Sequence, residues 1–117
     1  MTEQLTRDEI LVMKPGRELD ALVAEKTMGQ RFRSEWHKLH NDTIACYSTD
    51  IAAAFEVETK AIENDPSMYV HALASVVFGY NQVQDISDIR KMCMLIHATP
   101  EQRCKAALLA VMDNETN

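Results

Sequence analysis

Three groups of side chains in this chain have types and spacing that could do chemistry. His37-Lys38-Leu39-His40, with Asp42 and Cys46 nearby, offers metal-ligand types. A structural zinc site needs four ligands in tight recurring pairs. One H-x-x-H with a distant Cys falls short of that, and no metal is expected. Cys93 and His97 stand four apart and can share a face, with Cys104 following. A thiol beside an imidazole is the start of a nucleophile pair. No third residue orients the imidazole and no oxyanion hole is evident, so no catalytic residue is assigned. The third group is basic and aromatic: Arg31, Phe32, Arg33, Trp36 and Lys38 gather charge and the only Trp into one short stretch. It reads either as a small anion-binding patch, or as a structured loop whose Phe32 and Trp36 plug the core while the charges are solvated.

Phosphate chemistry has few other places to go. With three glycines there is no glycine-rich cradle, and no nucleophile-elbow, P-loop or dinucleotide fingerprint is present. What remains is the free backbone N–H groups at helix starts. Ser48-Thr49 and Thr99-Pro100 are two such starts, each also explained by ordinary capping.

The elements that must position these groups are legible from caps and apolar spacing. Thr6-Arg7-Asp8-Glu9 is a capping box that opens a short helix, and Lys14-Pro15-Gly16 ends it. A second helix is predicted from about Arg17 to Met28, with Leu19, Leu22 and Val23 inward, Glu18, Asp20 and Glu25 toward water, and Gly29 as its stop. The stretch around which the chain is expected to be organised is Cys46–Val57. Ser48 or Thr49 caps a central helix running to about Asn64, with Asp50 favourably placed in its first turn. Ile51, Ala54, Phe55, Glu58 and Ile62 follow at helical spacing. Asp65-Pro66 starts a further helix through Tyr69, Ala72, Leu73, Val76 and Val77, with Gly79 as its end and a strand as the lesser reading. Tyr80–Lys91, polar with Ile86 and Ile89, reads as a loop with one turn. Met92–His97 is apolar throughout and reads as a short buried strand. Thr99-Pro100-Glu101-Gln102 starts a last helix to about Met112, and residues 113–117 read as a frayed tail.

The totals set further bounds. A chain of 117 residues with 46% hydrophobic residues is one domain with a real core. Seven Met against three Phe, three Tyr and one Trp make that core aliphatic and adaptable. A net charge of −6 argues against a nucleic-acid binder and against an anionic membrane surface. No apolar run approaches a membrane span. Met1-Thr2-Glu3-Gln4 does not look like a signal peptide, and three unpaired cysteines fit a reducing compartment. The expected fold class is α+β, a predominantly helical single domain over residues 1–117, with four to five helices and a small sheet at most.

Three blocks of this sequence resemble one known family. Met13–Gly29 looks like the opening motif of the phage ABA sandwich proteins, Tyr47–Val57 like their central motif, and His97–Val111 like their C-terminal helix motif. A Trp common in the family just after the first block is Gln30 here. The family's aromatic-rich strand region falls on the helix-like stretch from Pro66 to Gly79. The resemblance implies a phage origin and a place in the host cytoplasm, and carries no established activity. Phage accessory proteins of this size suggest two non-enzymatic roles. One is sequestration of a small nucleotide immune signal by a homo-oligomer, for which Arg31, Arg33, Trp36, Tyr47, Ser48, Thr49 and Arg103 are the candidate ligand-binding residues. The other is binding and inhibition of a host protein through the acidic surface. A small Cys/His enzyme ranks below both. No cofactor is expected.

Overall fold

The computed structural model describes residues 6–32, 34, 36, 44–79 and 89–116. They form six helices: α1 (Arg7–Val12), α2 (Arg17–Lys26), α3 (Ile51–Asn64), α4 (Pro66–Phe78), α5 (Ile89–Ile96) and α6 (Pro100–Thr116). There is no strand among the described residues, so the expected α+β class is corrected to a helical domain.

Met92–His97 is where the strand expectation fails. Met92–Ile96 belong to α5 and His97 to the turn after it, and the helical period becomes visible once Ile89 is included. Ile89, Met92, Cys93 and Ile96 then lie on one outward face, while Leu95 turns in against the core. A short helix apolar on both sides reads as an uninterrupted apolar run, the same signature as a buried strand. Two further boundaries shift. Ile89–Lys91, expected as loop, are helical, and α6 continues through the predicted tail to Thr116.

The caps predicted from local sequence are in place. Thr6 Oγ1 accepts from Glu9 N at 3.1 Å and Glu9 Oε1 accepts from Thr6 N at 3.3 Å, which completes the capping box of α1. Asp65 Oδ1 accepts from Met68 N at 3.1 Å with Pro66 opening α4. Thr99 and Gln102 make the reciprocal pair at the start of α6, at 3.1 and 2.9 Å. Gly29 (φ 76°) follows the end of α2 in the left-handed region that costs other residues most. At α3 the cap is Asp50, whose Oδ1 accepts from Ala52 N at 3.2 Å. Ser48 and Thr49, expected as caps, lie two residues and one residue earlier, in the turn that leads into α3.

The organising element is α6 rather than α3. All eight residues from Arg103 to Ala110 are buried, and α6 packs against α1, α2, α3 and α4. Its small residues, Cys104, Ala106, Ala107 and Ala110, allow close approach on several sides, while Leu108 and Leu109 fill the space between. Helix α3 is one-sided: Ala53, Ala54, Val57 and Ala61 are buried, and Ile51, Phe55 and Ile62 are exposed. The rest of the core comes from Ile10, Leu19, Leu22, Val23, Tyr69, Ala72 and Leu73. Each Leu or Val hidden this fully contributes about 1.5–3 kcal/mol.

Candidate functional site

Two polar clusters are built into the interior among the described residues. The first joins the start of α2 to the turn before α3. Asp20 is buried, not turned to water as its helix position suggests. Its Oδ1 accepts from both Ser48 N at 2.7 Å and Ser48 Oγ at 2.6 Å. Ser48 Oγ in turn accepts from Gly16 N at 2.9 Å. The hydroxyl has given its proton and filled an acceptor site, so it is neither a free nucleophile nor a free phosphate ligand. Tyr47 beside it is buried in the core. Burial, with the nearby carboxylates of Glu56 and Asp20, raises its pKa above the ordinary value, so the phenol stays neutral.

The second cluster lies where α3, α4 and the α5–α6 turn meet. The Arg103 guanidinium is buried at the start of α6 and pairs with Glu58 of α3. Its Nε donates to Ala98 O at 3.0 Å and Nη2 to Ile96 O at 2.7 Å, which satisfies carbonyls at the end of α5. Its carbon sits 4.9 Å from the centre of the Phe55 ring. Tyr69 Oη donates to the same Glu58 oxygen at 2.7 Å. Burial and that carboxylate raise the Tyr69 pKa. Lys105 does similar work for α1: its Nζ donates to Leu11 O at 2.8 Å and to Glu101 at 2.7 Å.

The predicted ligand residues therefore do not converge. Arg103 and Ser48 are hydrogen-bonded inside the fold, and Tyr47 is buried there. Thr49 is exposed on the rim of a hollow of about 240 Å³, lined also by Gly16, Arg17, Asp20, Ile44 and Cys46. This is below the roughly 300–1,000 Å³ of sites that enclose drug-sized ligands, and it carries a carboxylate. Arg31 is exposed, Phe32 packs against the core, and Trp36 is 68% exposed rather than plugging it. Arg33 and the His37–Asp42 group lie outside the described residues. Cys93 and His97 are exposed on successive turns, linked through the backbone at 3.0 Å, and no hydrogen bond joins their side chains. No group of three His, Cys, Asp or Glu poised for a metal occurs among the described residues, and no helix there is long and apolar enough to cross a membrane.

Sequence reasoning missed Asp20, Glu58, Tyr69 and Lys105 as the partners in these clusters. One signal was available. Glu58 stands alone among apolar residues on its helix row, and a carboxylate there requires a buried cation or donor. Asp20 gives no local sign, because its partner is 28 residues away.

The class that this geometry defines is a small helical domain whose signature residues are internal clamps. The chain belongs to the phage ABA sandwich domain family, whose family model matches residues 21–108. No curated protein and no solved structure matches it. The three sequence blocks that resemble the family motifs supply the clamps: Gly16 and Asp20 in the first, Ser48 in the second, Arg103 and Lys105 in the third.

Proposed function

We propose that this is a non-enzymatic phage accessory protein, working in the host cytoplasm by binding another protein. One observation supports the reading. Ser48, Arg103 and Lys105 of the family blocks are hydrogen-bonded within the fold and Tyr47 is buried there, whereas large apolar side chains are turned outward. Ile51, Phe55 and Ile62 are exposed on α3, and Ile89, Met92 and Ile96 on α5. Single exposed apolar residues are ordinary; rows of them on two helices are what contact with another macromolecule buries. The net charge of −6 steers such a domain toward a basic surface. Sequestration of a small nucleotide draws less support, since the hollow beside Thr49 is small and holds the Asp20 carboxylate.

The test is native mass spectrometry of tagged protein recovered from infected host cells. The expected species carries a second polypeptide, lost as salt is raised. Release of an intact nucleotide on heating would instead establish sequestration. Turnover of a small substrate would establish an enzyme.

A further inference from the structure

The exposed row of α3 has a defined chemical character. Ile51, Phe55 and Ile62 recur at helical spacing along the flank of the buried residues Ala54, Val57 and Ala61. Glu58 falls within this row, but its charge is met by Arg103 and by the Tyr69 hydroxyl, so it does not interrupt the strip with a free carboxylate. Arg103, itself buried, ties the row to the end of α5. The guanidinium that lies against Phe55 holds the carbonyl of Ile96, and Ile96 is itself 69% exposed. On the other side of the row come Ala52 and Thr59, small and exposed, over which a partner backbone can come close. Beyond them, along the outer edge, stand the exposed carboxylates of Glu56 and Glu63, seven residues apart and so on one line, with the exposed Lys60 beside them.

An apolar row edged by carboxylates at two-turn spacing matches one kind of occupant. We propose that this face of α3, extended by Ile96, docks a basic amphipathic helix of the partner protein. The proposal rests on the protein-binding reading above and names its site. Apolar side chains of the incoming helix at i, i+3/i+4 and i+7 cover Ile51, Phe55 and Ile62, and Lys or Arg on its flank reach Glu56 and Glu63. A second copy fits less well. Pairing two α3 faces would bring Glu56 and Glu63 of both copies together in a chain already at −6.

The probes are two synthetic 18-residue helical peptides with identical leucine spacing, one flanked by Lys and Arg, the other by Glu. Binding to the full chain is read by fluorescence anisotropy at low and moderate salt. The variants are Ile62→Lys and the double change Glu56→Lys with Glu63→Lys, all at exposed positions. Unchanged thermal unfolding confirms that they fold. The basic peptide is expected to bind, to weaken with salt, and to lose about tenfold in affinity with either variant. The double variant is expected to reverse the preference toward the acidic peptide. Equal binding of both peptides, or indifference to Ile62→Lys, overturns the proposal. So does a wild-type dimer that Ile62→Lys separates, which would assign the face to a second copy. Capture of one host protein equally by wild type and Ile62→Lys would leave the protein-binding reading standing and remove this site. A nucleotide retained in place of any protein would remove the reading itself.

Discussion

Arg103 answers three unsatisfied groups at once: the Glu58 carboxylate and the carbonyls of Ile96 and Ala98. Truncating it leaves a half-buried carboxylate without its cation and two helix-end carbonyls without a donor. Arg103→Ala should cost about 3–5 kcal/mol. Arg103→Met combined with Glu58→Met should cost clearly less, because neither charge is then stranded. Urea unfolding of the two single variants and the double variant gives the coupling; additive losses would show that the pair is not a unit. Cys104 gives a second prediction at this scale. Burial pushes its thiol up from about 9 to about 12. Between those values the unfolded chain releases a proton that the folded chain keeps. Its contribution to stability is therefore whole below about pH 9 and is lost progressively as pH rises toward 12, at about 1.4 kcal/mol per pH unit. Tyr47 and Tyr69, both raised from their ordinary value of 10, act in the same direction above it. Urea midpoints measured from pH 8 upward should fall from about pH 9, and Cys104→Ala should flatten the early part of that fall.

Among the elements, the turn before α3 is positioned by α2 rather than by its own sequence. Ser48 Oγ bridges the Asp20 carboxylate and the Gly16 N–H, so removing the hydroxyl leaves the part-buried Gly16 N–H without this acceptor and the buried Asp20 carboxylate with one of its two donors, Ser48 N. Ser48→Ala should destabilise the domain by about 1–3 kcal/mol. Thr49→Ala, at an exposed position next to it, should stay within about 0.5 kcal/mol. Chemical denaturation of the pair separates a fold clamp from a surface turn. The contrast also marks what the sequence could show. Thr6, Asp65 and Thr99 are readable as caps because each partner lies within three residues. Ser48 looks like a cap by the same rule, but its partners lie 28 and 32 residues back along the chain. Arg103 looks like a phosphate ligand because its carboxylate is 45 residues away. Helix α5 was hidden differently: the window from Met92 to Ile96 is apolar at every position and spans little more than one turn, and Ile89 supplies the preceding turn of its outward face. The candidate binding face was partly visible. Ile51, Phe55 and Ile62 are at helical spacing in the sequence, but spacing does not say that α3 turns them outward.

For the molecule as a whole, the question is which helix the others depend on. A cap-rich start and an alanine run make α3 the expected centre, yet an alanine-rich face is equally what one side of a helix needs to lie close against a neighbour. The centre is better identified by burial on every side, and α6 has it from Arg103 to Ala110. That helix carries two charged side chains inward, Arg103 and Lys105, each tied to the backbone end of another helix. Central packing and central clamping thus fall on the same element, and the stability of the domain should be concentrated there. Leu109→Ala removes a fully buried side chain and should cost about 2–5 kcal/mol, a large share of the roughly 5–15 kcal/mol that holds a domain of this size together. Ile62→Ala removes a side chain of α3 that is 43% exposed and should cost under about 1 kcal/mol. Both variants should keep the wild-type dependence on denaturant, since neither changes how much surface unfolding exposes. Equal losses at the two positions would mean that α3 holds the domain together as much as α6 does, and that its outward row is covered within the folded chain rather than held open for a partner.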